Sequence, residues 1–298
     1  MGVTKVMAVQ PGMGRFTFRP SEFSDYVRKG EFDFIDFGCS KGGSIKLGQT
    51  RFGGKKGLGI DIDDAKVRIC RKAGVEAICY DIAAIPDEKL FRFTILSHFL
   101  EHIPNPIDVA FYVRKACTIS REFVYIQQPF FDADAYLARH SLKLYWSDWH
   151  GHPNHMSSSD LRVLLRDLQK AGLNIRYSIY ARKPITSSDD PCVHSILSPS
   201  DQHKFDPTHP AKNTVTFTEP VYTELVCLIT IGDVAHVELL RIFKIDKDNL
   251  IFHDDRTWAR RGISRCGQAL RRMMGPLIAT TRALRRVASH RSDGRLEC

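Results

Sequence analysis

An open α/β sheet, mostly parallel and doubly wound, is the fold that three features of this 298-residue sequence predict. Short apolar runs alternate with segments that carry helix start and stop signals, the pattern of strand–helix–strand units. The first run, Phe34-Ile35-Asp36-Phe37, leads straight into a glycine-rich turn, Gly38-Cys39-Ser40-Lys41-Gly42-Gly43. The second and third runs each end in an acid, Asp61 and Asp81. Ligands of such sheets bind at the carboxyl ends of the strands, where strand order reverses. The turn and the two acids are therefore expected to face one pocket.

The elements follow in order. Pro20–Lys29 reads as a short helix, opened by Pro20 or Ser21 and stopped by Gly30. After the first strand and its turn, a helix over 44–51 is closed by Gly53-Gly54. A second strand over 57–63 is followed by a helix over 65–73, with Asp64 as its expected cap and Gly74 as its stop. Strands are expected at 75–80, 93–97 and 123–127, with a helix over 106–117 before the last. The stretch 136–155 holds aromatics and four histidines. Ser157 or Ser158 then caps a helix over 161–171, and a strand over 174–181 follows. Residues 182–217 are rich in Pro, Ser, Asp and His and read as a long surface loop. An antiparallel edge strand is expected over 221–231. The expected division is one domain over 1–252, with its core at about 30–181 and an extension to 252, and a tail over 253–298.

Composition narrows the class. Apolar content of 43% with 26% charged residues is that of a soluble globular chain. No apolar run approaches the roughly 20 residues that span a bilayer. The eight cysteines are scattered with no C-x-x-C pair. Without a secretory leader they are expected to be reduced thiols in the cytoplasm, Cys39 among them as a packing residue. The net charge of +9 is concentrated: residues 253–298 hold eleven arginines, no lysine and a net +7, which leaves +2 for the rest. The body thus offers no electrostatic case for nucleic acid. In the tail, Ile263, Cys266, Leu270, Met273, Met274, Leu277 and Leu284 recur at helical spacing, opposite Arg261, Arg265, Arg272 and Arg286. A basic amphipathic helix of this kind suits peripheral contact with anionic membrane, an acidic partner, or packing on the body.

The glycine turn admits three readings. Gly38-Cys39-Ser40-Lys41-Gly42 matches the nucleophile elbow of serine hydrolases, but too few strands precede it to build that sheet. It half-matches the dinucleotide fingerprint, with Ser40 where the second glycine lets a pyrophosphate approach. The third reading is a nucleoside-binding turn preceded by Asp36, which tolerates serine because no pyrophosphate must fit.

Downstream residues extend the third reading. Asp61 lies about twenty residues beyond the turn, where a carboxylate accepts from ribose hydroxyls. The fourth strand ends in Ser97-His98-Phe99-Leu100-Glu101-His102-Ile103. The series Asp36-x-Gly38-Cys39-x-x-Gly42, Gly59-x-Asp61, Asp81-Ile82 and Leu100-Glu101-His102 resembles the motifs of class I methyltransferases that use S-adenosylmethionine (SAM), in particular the bacterial group with Leu-Glu-His after the fourth strand. The resemblance covers roughly residues 30–175 and departs from the group's usual glycine at Ser40. It implies a Rossmann-like domain that transfers a methyl group from SAM to a small or medium acceptor, at an oxygen of a sugar, lipid or other metabolite. By the same resemblance Gly38, Ser40 and Gly42 lie beside the methionine part, Asp61 takes the ribose, Asp81 and Ile82 frame the adenine, Asp36 and Ile62 are further cofactor-binding residues, and Ser97, also counted with the cofactor, and His98 sit near the methyl group. His98 is the candidate base, since imidazole titrates near neutrality. Glu101 and His102 are expected to hold the loop. Trp146, Trp149, His150 and His155 are expected to wall the substrate. The histidines of 150–155 have no recognised zinc spacing, so no metal is expected. An NAD-dependent oxidoreductase or epimerase, and a non-catalytic nucleotide-binding scaffold, are the alternative functions.

Overall fold

A computed structural model of the protein describes residues 18–200, 206, 208–232 and 249–254. These fall in a unit spanning Met1–His253, Asp254 apart. The basic tail expected from residue 253 onward lies outside the described residues, save His253 and Asp254.

The chain order is α1 (Pro20–Lys29), β1 (Phe34–Phe37), α2 (Gly43–Arg51), β2 (Gly57–Asp61), α3 (Asp64–Lys72), β3 (Ala77–Cys79), β4 (Phe91–Ser97), α4 (Pro106–Ile119), β5 (Ser120–Pro129), α5 (Asp134–Arg139), β6 (Leu142–Leu144), α6 (Ser158–Lys170), β7 (Ile175–Pro184), β8 (Val193–Ser195), β9 (Tyr222–Ile231) and β10 (Leu250–His253). Short 3₁₀ turns follow β3 at Ile82–Ala84 and β4 at Leu100–His102. Eight strands form one sheet in the order β10-β7-β9-β5-β4-β1-β2-β3, and β6 pairs with β8 in a two-stranded ribbon. The strands β3, β2, β1, β4 and β5 are mutually parallel, while β9 runs antiparallel to both β5 and β7. The fold is thus the Rossmann-like, doubly wound sheet expected, with β10 as its antiparallel edge.

Caps and glycines set the local geometry. Ser157 caps α6 in a reciprocal box with Asp160, an arrangement that contributes about 1 kcal/mol. The cap of α3 is Asp63, one residue before the expected Asp64, because its side chain accepts from the N–H groups of Ala65 and Lys66. In the core, Phe34 stacks on Phe93 at 4.7 Å, and Phe93 on Phe123 at 4.6 Å, across three neighbouring strands. Such pairs contribute about 0.5–1.5 kcal/mol beyond area burial. The Phe34 ring fits because Gly48 and Gly57 lack a Cβ; one added there would lie 2.5 and 2.3 Å from it.

Two expectations change. The 221–231 segment is not an edge: β9 lies between β5 and β7. Its residues from Glu224 to Thr230 are buried without alternation, as in a strand covered on both faces. The segment 182–217 is also more than surface loop. It completes β7 and supplies β8, whose Val193, His194 and Ser195 are buried. A polar composition hid these buried groups; the Lys143 ammonium donates to the Ser198 carbonyl at 2.5 Å beneath the loop. No helix among the described residues is long and apolar enough to cross a membrane.

Candidate active site

From β1 the chain winds outward through β2 and β3, and then returns to place β4 and β5 on the other side of β1. Strand order therefore reverses between β1 and β4, and a cleft of about 890 Å³ opens at their carboxyl ends. The turn after β1 forms one side, Ser97 to Ile103 the other, and Gln127, Arg182, Lys183 and Glu224 the far wall.

The glycine-turn side is made of backbone. Gly38 adopts φ +68°, and a Cβ there would sit 2.6 Å from the Phe99 ring. Ser40 adopts φ +45°, the left-handed region that favours glycine. Its N–H donates to Asp61 Oδ2 at 3.0 Å, which helps hold the strained turn closed. Asp61 Oδ1 accepts from the Asp63 N–H at 2.9 Å. Both oxygens keep a second lone pair, and the carboxylate lines the cleft. Gly42, at φ +83°, packs against Cys70 and Val75 beneath the turn and lies outside the cleft lining. The N-terminus of α2 follows at Gly43 and Ser44, both on the cleft.

Asp36 lies under this side with no exposed surface, and neither carboxylate oxygen has a hydrogen-bond partner of ordinary geometry among the described residues. Burial raises its pKa to about 8; the nearby Ser44 hydroxyl lowers it less, and the charge of Asp61 adds to the rise. Near neutral pH the group is mainly the acid, since an isolated buried carboxylate is costly.

The other side is made of side chains. His98 leaves β4 at φ +51°, a second strained residue on the cleft; Lys183, at +57°, is a third. Such strain clusters at functional sites. His98 Nδ1–H donates to Glu101 Oε1 at 3.1 Å, and Gln127 Nε2 donates to His98 Nε2 at 3.3 Å. The Gln127 amide is oriented by the Tyr125 hydroxyl, which donates to its Oε1 at 2.8 Å. Nδ1 of His98 therefore carries the proton and Nε2 the lone pair. Burial lowers the His98 pKa, but the hydrogen bond and charge of Glu101 outweigh it, and the net direction is up. His98 is half exposed, whereas the Glu101 side chain is fully buried. Glu101 Oε2 has no partner among the described residues. An unsatisfied buried acceptor costs about 1–3 kcal/mol, and more when charged.

Of the remaining predicted residues, Ser97 and Ile62 line the cleft. Asp81 instead accepts from the Ala83 N–H at 2.8 Å, as the cap of its own 3₁₀ turn. Ile82 is buried in the main apolar core, and neither residue is among those lining the cleft. Trp146, Trp149, His150 and His155 are likewise outside the lining. Trp146 is a core residue whose indole N–H donates to the Phe130 carbonyl at 3.2 Å. His155 stacks on Phe131 at 4.6 Å. Trp149 packs edge-on against His102 and His152, and His150 is exposed. Sequence reasoning missed Glu101 as the partner of His98, and it missed Gln127, Arg182, Lys183 and Glu224 altogether. The one local signal for Glu101 was its i+3 spacing from His98.

The family model described as "Methyltransferase domain" matches residues 17–178, more than half of the chain. Similar solved structures include a SAM-dependent methyltransferase from Methanosarcina mazei, at 14% identity over 68% of this chain and 93% of that one, with TM-score 0.41. A putative methyltransferase from Bacillus halodurans aligns at 13% identity over 70% and 97%, with TM-score 0.44. Magnesium protoporphyrin IX methyltransferase from Synechocystis, with bound SAM, aligns at 13% over 74% and 87%, with TM-score 0.37. No curated protein matches.

Proposed function

This chain belongs to the methyltransferase-domain family and is a SAM-dependent methyltransferase; from that premise we propose that it methylates an oxygen of a small or medium-sized metabolite, such as a sugar or lipid, with His98 as general base. The residues present fit the cofactor. The Asp61 lone pairs suit ribose hydroxyls, and the N-terminus of α2 suits a carboxylate. A Cβ on Gly43 would meet nothing within 4 Å, so the turn leaves room beside it. Gly38, Ser40, Asp61, Ile62 and Ser97 would hold the cofactor in this reading, while the buried Asp36 lies beneath the turn, and Asp81 and Ile82 stand outside the cleft lining.

When bound, SAM supplies a methyl group on a positively charged sulfur, open to in-line attack. The protein's part is positioning and proton removal. The observation that carries the oxygen reading is the His98–Glu101 pair. Glu101 accepts from Nδ1 and so turns the Nε2 lone pair toward the cleft. A hydroxyl acceptor needs such a base, because it is a weak nucleophile until its proton leaves. As the acceptor attacks, Nε2 takes its proton and the Glu101 carboxylate steadies the resulting imidazolium. Gln127 gives up its long hydrogen bond to Nε2 for the acceptor. The cleft lining holds five Lys and Arg residues against two carboxylates, which favours acceptors that carry negative charge.

The test is methyl transfer from labelled SAM to a panel of hydroxylated, amine and thiol acceptors, with products identified by mass spectrometry. Methylated hydroxyl products, lost in His98→Ala with cofactor binding intact, are expected. Transfer to amines or thiols alone, or undiminished transfer in His98→Ala, would overturn the reading.

A further inference from the structure

We propose that Glu101, His102 and His152 form a binding site for a divalent transition-metal ion of the zinc class at the rim of the cleft. One ligand atom from each lies within 4.8 Å of the others. Two donors on an ion at about 2.1 Å can stand at most about 4.2 Å apart, so a small swing of the exposed His102 side chain closes the set. Both imidazoles are already set for coordination. Nδ1 of His102 faces the Gly151 carbonyl at 2.6 Å, and Nδ1 of His152 faces the Trp146 carbonyl at 3.1 Å. A carbonyl only accepts, so each Nδ1 carries the proton and each Nε2 keeps a lone pair, the second-sphere pattern of metal-bound histidine. The third donor is Glu101 Oε2, buried and without a hydrogen-bond partner among the described residues. A cation there would satisfy it while Oε1 keeps its bond to His98.

The site is built by tertiary clamping. Asn154 donates its backbone N–H to the Glu101 carbonyl at 3.2 Å and its Nδ2 to the Leu100 carbonyl at 3.0 Å. These bonds hold segment 145–157 against the turn Leu100–His102 and bring His152 beside residues about fifty positions earlier. That separation is why the local spacing of the histidines gave no metal signal. Two histidines and one carboxylate leave coordination positions open. His102 lines the cleft, so the open positions would receive an acceptor oxygen there. That acceptor role rests on the proposed function, whereas ion binding does not.

The experiment is calorimetric titration of the chelator-treated full chain with ZnCl₂ in the absence of acceptor. Co²⁺ serves as the spectroscopic probe, and MgCl₂ as the hard-ion control. One Zn²⁺ per chain is expected, with Co²⁺ absorption bands of imidazole–carboxylate coordination and no comparable Mg²⁺ binding. His102→Ala, an exposed change that spares the core, and Glu101→Gln should each weaken Zn²⁺ binding at least tenfold. His155→Ala should leave it unchanged. Absence of Zn²⁺ binding by the full chain would overturn the proposal, as would binding that survives His102→Ala and Glu101→Gln in folded protein. So would binding that falls with His155→Ala alone. Undiminished methyl transfer to oxygen by the ion-free protein would defeat the acceptor role of the ion and leave the proposed function standing.

Discussion

The two sides of the cleft are built by different means. The glycine-turn side is mostly backbone: a strand, a strained turn from Gly38 to Gly42 and the Asp61 carboxylate of the neighbouring strand, which accepts from it. The histidine side is assembled: His98 from the end of β4, Glu101 from the next turn, and His102 locked against a segment fifty residues on. The first side exposes backbone and keeps an acid protonated beneath it. The second exposes imidazole and keeps a carboxylate buried beneath it. Binding and chemistry are therefore expected to separate by side, and substitutions on each should move different observables.

The largest expected effect lies under the turn. The pKa of Asp36 is raised to about 8 from 3.8. Its contribution to stability is fully present below the unfolded value, near 4, and is lost as pH rises toward 8. The loss is on the order of 5 kcal/mol, at about 1.4 kcal/mol per pH unit. Denaturant unfolding of cofactor-free protein should show stability falling across pH 5–8, while Asp36→Asn flattens that slope. Equal slopes in both proteins would mean that Asp36 is ionised in the native state.

On the histidine side, His98→Ala should reduce turnover by roughly a hundredfold or more, the scale of a positioned base. SAM affinity should stay within about twofold, because no hydrogen bond from His98 reaches the turn side. A large loss of SAM affinity in this variant would break the division between the sides.

Asp61→Ala should do the reverse. It removes a charge-assisted acceptor and the tie to Ser40, and calorimetry should record SAM binding weaker by about 1.5–3 kcal/mol. At saturating SAM the remaining turnover should be close to that of the parent. Unchanged affinity in a folded Asp61→Ala would remove the carboxylate from the cofactor site.

The smallest effect concerns the clamp. Ser157→Ala deletes the α6 cap at the end of segment 145–157 and should cost about 1 kcal/mol in global stability, read from the denaturant midpoint. SAM affinity should not change. If it does, the histidine segment reports to the turn side, and the two halves are coupled.

Most of the fold was legible because strand and helix signals are local. Pro20, Gly30 and Ser157 mark helix ends in the sequence where the structure has them. The placement of β9 was not legible. An apolar run says that a strand is buried, but its neighbours depend on long-range pairing. The same limit applies to the site. The sequence placed Gly38, Ser40 and Asp61 at one cleft because the turn and the acid end two successive strands, and β1 and β2 pair in parallel. The aromatics of 136–155 misled, because an indole that packs in the core and one that faces a ligand share the same residue type. Trp146 took the first role.

By itself, the sequence determined the doubly wound sheet, the glycine turn after the first strand and the acid at the end of the second, since each follows from local strand, helix and turn signals. Only the tertiary structure decided that Glu101 stands behind His98, that His152 comes beside it, and that Arg182, Lys183 and Glu224 close the far wall. These residues meet because β9 inserts between β5 and β7 and because Asn154 ties its segment to the Leu100–His102 turn. Pairing and docking of this kind are set by the burial of whole faces, a property that no short stretch of chain encodes.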